Sequence, residues 1–308
     1  MDRSWGAALP KTIVILAISL VLLLSAVWLG CRFVMSHSAF RFSRIYAGDI
    51  RTDVLVAGNS RGINLITGGG TSPSVYNISY NGLGRASTIS WIKAYFARGN
   101  TAKVIVIEAT ALFDNGAGCD GKPYWSLYGD IFSSQRAACP DDTAQARWAP
   151  LTAYNTEQFL RAVYYFTVKR GGDQDWANEY DIPPEMCAHL PVHDVEHFQS
   201  MAHQADVVAI RAQIDELKTW LKAHHVDSKI VFVVAPIFKT PQTTPMINAI
   251  AGKAKTLTSG NPTIDLSGAF GARCSFFADS IHVGREGRKA LRPILFQNLA
   301  HDLGAMAP

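Results

Sequence analysis

Short unbroken runs of Val, Ile and Leu alternate along the chain with longer stretches in which apolar residues return every three or four positions. The runs "DVLVAG" (53–58), "VYNIS" (75–79), "KVIVIEA" (103–109), "KIVFVVAP" (229–236) and "TIDLS" (263–267) predict strands covered on both faces. A strand with one wet face would instead alternate apolar and polar residues. Helical spacing marks "ASTISWIKAYFARG" (86–99), "ADVVAIRAQIDELKTWLKAHH" (205–225), "PMINAIAGKAKTL" (245–257) and "REGRKALRPILFQNLAHDL" (285–303). Strands and helices in alternation predict an α/β fold, a parallel five-stranded sheet with helices on both faces. Residues from about 112 to 200 break this rhythm. They hold Tyr124, Trp125, Tyr128, Trp148, Tyr154, Tyr164, Tyr165, Phe166, Trp176 and Tyr180 without a repeat, and are expected as an insertion after the third strand. Its aromatic residues either stack sugars or build a small core of their own.

The periodicity vanishes near the N-terminus. "TIVILAISLVLLLSAVWLGC", Thr12 to Cys31, has no charged residue, and as a helix rising about 1.5 Å per residue it would cross roughly 30 Å of hydrocarbon. The expectation is a cytoplasmic tip and one transmembrane helix over residues 1–31, a linker over 32–52 and the main domain over 53–308. A cleaved signal peptide and a lipoprotein site at Cys31 are the alternatives, although "SHSAF" is a poor cleavage site and Trp28 a bulky start for the second. Arg3 and Lys11 precede the stretch while Arg32, Arg41 and Arg44 follow it, so the basic flanks do not set its direction.

Cysteine usage bears on that direction. Cys119, Cys139, Cys187 and Cys274 show no metal-type spacing and suit disulfides in an oxidising compartment. Pairing Cys119 with Cys139 and Cys187 with Cys274 is the expected arrangement, with four free thiols in a cytosolic domain as the alternative. The expected location is therefore the inner (plasma) membrane, with a single span and the main domain periplasmic or otherwise extracytoplasmic. A net charge of +4 without a basic cluster argues against nucleic acid as a partner. His189, His193 and His197 fall four apart, but Pro191 interrupts a common helix, and a solvated polar face is the expected reading over a metal site. Neither a metal nor a cofactor is expected.

Candidate chemistry lies at the strand ends. Ser60 follows the first strand in "VLVAGNSRGIN", and Asp279 precedes His282 by three residues in "FFADSIHVGREG", just before the last helix. An Asp and a His on one loop can share a ring N–H hydrogen bond that leaves the other ring nitrogen to accept a serine proton. A parallel sheet opens both loops on the same edge. Each segment alone also reads as a helix cap, with Ser60 or Asp279 as the capping side chain and His282 on the surface.

"VLVAGNSRG", "YNISYNGLG" and "DSIHVGREG", in that order, resemble the first, second and last sequence blocks of the SGNH/GDSL hydrolase superfamily over residues 53–300. The resemblance implies an SGNH or flavodoxin-like sheet, with Ser60 as nucleophile and Asp279 and His282 completing a triad. It also implies oxyanion donors at the N–H groups of Ser60 and Gly82. Asn59 stands where the family carries an aspartate. The third block's asparagine is replaced by "VIVIEATALFDN", which leaves Glu108 or Thr110 at that place and Asn115 too distant to align. Asn59, Arg61, Thr110 and Asn115 are the candidate substrate contacts. More loosely, the chain resembles membrane-anchored members that serve exopolysaccharide or cell-envelope acylation. That implies an esterase or acyltransferase acting on O-acyl, chiefly O-acetyl, groups, with an acylated polysaccharide as substrate and a polysaccharide synthesis or acylation complex as partner. The alternative from another class is a non-catalytic scaffold or glycan-binding subunit of such a machine.

Overall fold

A computed structural model describes residues 13–26, 45, 48–66, 73–80, 82–114 and 181–303. Five parallel strands, β1 (Arg51–Ala57), β2 (Val75–Asn77), β3 (Thr101–Glu108), β4 (Lys229–Val234) and β5 (Thr263–Asp265), form one sheet in the order β2-β1-β3-β4-β5. Its helices are α1 (Ser60–Ile63), α2 (Arg85–Ala97), α3 (His193–Gln204), α4 (Val207–Ala223), α5 (Thr244–Leu257) and α6 (Arg285–Leu303).

The apolar runs make central strands because both faces are covered. Leu55, Ile105, Ile107, Phe232 and Val234 point into one core with Trp91 and Ile92 of α2, Ile210 and Ile214 of α4 and Ile250 of α5. The alternate residues Val54, Val56, Val104, Val106, Val231 and Val233 point into a second core against Leu291, Leu295 and Leu299 of α6. The spacing of four puts those three leucines on one stripe. Burial of such side chains stabilises by about 1.5–3 kcal/mol each, which secures the sheet's centre.

Chain order positions the site. From β1 the chain moves outward to β2, then returns to place β3 on the other side of β1, with Val56 paired to Asn77 in one direction and to Val106 in the other. Connections diverge there at the carboxyl ends of β1 and β3, the crevice where open parallel sheets take ligands. Ser60 leaves the first of those ends and Glu108 closes the second.

Residues 181–200, inside the stretch expected as an insertion, contribute to both cores: Ile182 to the second, Val195 and Phe198 of α3 to the first. The aromatic residues from Tyr124 to Tyr180, with Cys31, Cys119 and Cys139, lie outside the described residues. Of the N-terminal apolar stretch, residues 13–26 are helical and expose Ile13, Ile15, Leu16 and Leu22. Thr12 and residues 27–31 lie outside the described residues, and among the described residues no helix is long and apolar enough to cross a membrane.

Candidate active site

The turn after β1 begins with Asn59, whose side chain accepts a 3.0 Å hydrogen bond from the Arg61 N–H and so caps the single turn of α1. Asn64 donates back to the Ser60 carbonyl at 2.8 Å. At the end of β2, Asn77 donates to the carbonyls of Gly62 and Ile66 at 2.9 Å each. A methyl group on Gly62 would sit 2.5 Å from the Ser79 hydroxyl and 3.0 Å from its Cβ, so the turn lies close against the segment that follows β2. Fixed at both ends, the turn presents Ser60 half-buried while Arg61, Gly62 and Ile63 face inward.

The second component is the loop between a short 3-10 turn (Cys274–Phe276) and α6. An antiparallel bridge pairs Phe277 with Val283, and the Ala278 N–H donates to the His282 carbonyl at 2.8 Å. One oxygen of Asp279 accepts from the backbone N–H of Ile281 at 2.9 Å and of His282 at 2.7 Å, which shapes the loop. The other lies 2.7 Å from His282 Nδ1, and His282 Nε2 lies 2.8 Å from the Ser60 hydroxyl. Burial alone would raise the Asp279 carboxyl, but the hydrogen bond and charge of His282, aided by the two backbone N–H groups, hold it below its ordinary value. Asp279 is thus an ionised acceptor that fixes the ring with Nδ1 as donor and Nε2 toward the serine.

Two devices seat this loop. Gly287 passes so close to the chain that an added Cβ would meet the Phe276 carbonyl oxygen at 2.0 Å, so the first turn of α6 rests directly on the loop. Cys187 and Cys274 form a disulfide with Cα atoms 5.7 Å apart, and the Ile182 N–H donates to the Phe277 carbonyl at 2.7 Å. The segment ending the expected insertion is therefore bound to the His282 loop covalently and through the backbone.

Below the serine lies a buried polar layer. The Arg61 and Glu108 side chains are fully covered, with Nη1 3.6 Å from Oε1. Arg61 Nη2 donates to the carbonyls of Ala235 at 2.5 Å and Pro236 at 3.4 Å, and its guanidinium carbon lies 5.3 Å from the ring centre of Phe198. Burial pushes the guanidinium below its ordinary value while the charges of Glu108 and Asp279 push it back up. Glu108 Oε2 accepts from both the N–H (3.0 Å) and the hydroxyl (2.5 Å) of Thr110, and the Thr110 hydroxyl accepts from Asn59 Nδ2 at 3.3 Å.

This layer changes the roles expected for several residues. Arg61 and Thr110, candidate substrate contacts, are 1% and 0% exposed and are used within the interior. Glu108, considered for the missing oxyanion position, turns inward to Arg61 and Thr110 instead. Asn59 is 7% exposed, with its carbonyl committed to the cap and its amide donating to Thr110. Gly82 occupies an exposed turn after β2 with φ +68°, a conformation that favours glycine, and Asn115 lies outside the described residues. His189 closes one 3-10 turn while His193 and His197 sit on α3 past Pro191. Among the described residues no group of three His, Cys, Asp or Glu is placed to hold a metal.

Asn64 and Asn77 escape sequence reasoning because a lone asparagine closing a helix or a strand is common. Glu108 leaves a signal: an acid ending the apolar run "VIVIE" must find a buried cation, and Arg61 follows the facing strand. Comparison of the chain with family models, with curated proteins and with solved structures finds no match in any of the three.

Proposed function

We propose that the chain is an SGNH-type serine esterase or O-acyltransferase that acts on O-acyl groups, with O-acetyl the expected one, of an envelope polysaccharide or exopolysaccharide. The observation that carries this reading is the unbroken relay from Ser60 through His282 to Asp279, at 2.8 and 2.7 Å. The relay sits at the strand ends where a substrate can approach. In this mechanism His282 Nε2 takes the Ser60 proton as Oγ attacks the acyl carbon, and the carbonyl electron pair moves onto oxygen. The N–H groups of Ser60 and Gly82 are assigned to that oxyanion. The imidazolium then returns the proton to the departing sugar oxygen as the ester C–O bond breaks, which leaves an acyl-serine. A water or a sugar hydroxyl repeats the cycle in reverse, and the choice between them is the choice between hydrolase and transferase. Asp279 stays ionised throughout and stabilises the transient imidazolium.

The setting at an inner membrane, with the domain on its extracytoplasmic side, is supported by the exposed apolar helix over 13–26 and by the Cys187–Cys274 bridge, which suits an oxidising compartment. Rapid quenching of the full chain with a chromogenic acetyl ester tests the reading. An initial burst of alcohol with one acetyl group found on Ser60 is expected, and added oligosaccharide acceptors divert acetyl from water if the enzyme is a transferase. Turnover without acetyl-serine, or no turnover, would contradict it and favour the glycan-binding subunit.

A further inference from the structure

The Arg61–Glu108 pair is not used by the mechanism above, yet it lies directly beneath its nucleophile. Stability does not account for it. Buried ion pairs are frequently matched or exceeded in stability by apolar side chains of similar volume, and Arg61 Nε and Nη1 have no hydrogen-bond partner among the described residues. What an apolar pair cannot supply is a directed grip and a fixed charge. The grip runs from Arg61 to the carbonyls of Ala235 and Pro236, so the exit of β1 is tied to the exit of β4 across 174 residues of sequence. The same connection leads on to the His282 loop, because the Phe238 N–H donates to the Ser280 carbonyl at 3.0 Å. Arg61 and Asp279 also interact electrostatically, the Asp279 charge pushing the guanidinium back up.

We propose that Arg61 and Glu108 are a positioning pair for the nucleophile, in which the guanidinium locks the Ser60 turn to the end of β4 and its charge, balanced by Glu108, sets the electrostatic environment of the Asp279–His282 couple. The proposal rests on the esterase or transferase reading. Arg61 acts through Ser60 and Asp279 and touches no substrate. The field has a sign that a structural role lacks. Loss of the cation removes the positive charge coupled to Asp279 and favours the protonated His282 ring even where the stranded Glu108 takes up a proton, whereas loss of the Glu108 charge leaves the cation in excess and favours the neutral ring. Other charged groups on the segments around the loop are Lys239 after β4, Asp181, and Arg285, Glu286 and Arg288 in the first turn of α6. They are unchanged in the variants that follow.

The test uses the full chain with labelled histidine. The His282 ring is followed by NMR against pH in the wild type, Arg61→Met, Glu108→Gln and Arg61→Met/Glu108→Met, with acetyl-ester kinetics on each and on Arg61→Lys. Arg61→Met is expected to move the titration midpoint up and Glu108→Gln down, each by about half a pH unit or more. The double variant falls between them. Each single variant lowers kcat by about tenfold or more with little change in KM, as loss of alignment predicts. Arg61→Lys recovers part of kcat, and the double variant is slow but unfolds no more readily than the wild type. The proposal is overturned if both midpoints stay put or move the same way, or if kcat survives in the single variants. Should Arg61→Met fail to fold, the near-isosteric Glu108→Gln decides the matter alone. A wild type without turnover sinks the esterase reading, while the two opposed titration shifts still accept or reject the charge coupling.

Discussion

The loop from Phe277 to Gly284 and the strand end at Glu108 both bring a carboxylate to the Ser60 turn, and they handle it in opposite ways. The Asp279 side chain is 33% exposed and sits 2.7 Å from an imidazole that the proposed mechanism requires to gain and lose a proton. Glu108 is fully covered and sits 3.6 Å from a guanidinium that keeps its proton. The first acid is placed where the proposed reaction changes charge and water can help absorb the change. The second is placed where charge must stay constant, because an unpaired buried charge is costly. Similar residue types therefore serve chemistry or alignment according to burial and partner.

The largest effects are expected on the reactive side of this comparison. Ser60→Ala and His282→Ala should each reduce acetyl-ester kcat by about 10⁴–10⁶-fold, and the double variant should be no worse than either, since each disables the same step. Asp279→Ala should cost less, about 10²–10⁴-fold, because a ring without its acceptor still samples the useful tautomer. Steady-state kinetics on the four proteins checks both, and additive losses would break the relay.

On the alignment side the effects should appear in stability. Glu108→Gln strands the Arg61 charge and is expected to lower unfolding free energy by about 3–5 kcal/mol, measured by urea denaturation, with the loss recovered in Arg61→Met/Glu108→Met. Replacing Cys187 and Cys274 with serine should cost about 2–4 kcal/mol through the released unfolded chain, and non-reducing peptide mapping of the wild type should show the pair oxidised. The smallest effects concern acid. At Asp53, Asp265 and Asp279 burial alone would raise the carboxyl. Hydrogen bonds and charges from Lys103 and Ser74, from Ser267 and Lys255, and from His282 and its loop outweigh it and depress each value. The unfolded chain then takes up protons first as pH falls, so the stability these groups contribute is full above about pH 4 and lost below it. Asp265→Asn should cost no more than about 1 kcal/mol at pH 7, given its partial exposure, and progressively less as pH falls below about 4.

Sequence pattern reached the sheet readily because β1, β3 and β4 are covered on both faces, and short unbroken runs of Val and Ile between turn residues are what that environment demands. It missed α3, where the eye follows His193 and His197 while burial follows Val195, Phe198 and Ala202. Asp279 and His282 were legible because three residues on one loop suffice to join them. Arg61 read as a substrate contact because position beside a serine says nothing about direction. The capped turn of α1 sends it inward, and its partners on β3 and beyond β4 are set by topology, which no local pattern carries. The Cys187–Cys274 pairing is the one expected from the sequence, and the fold realises it across 87 residues by bringing the two 3-10 turns together.

The central claim is that Ser60 is a nucleophile made reactive by His282. Its most direct test is intact-mass analysis of the full chain after treatment with a serine-reactive phosphonate. One adduct per chain is expected, mapped to Ser60, absent from Ser60→Ala and strongly slowed in His282→Ala. Ser60 left unmodified in folded wild-type protein, or labelled at the same rate without His282, would contradict it.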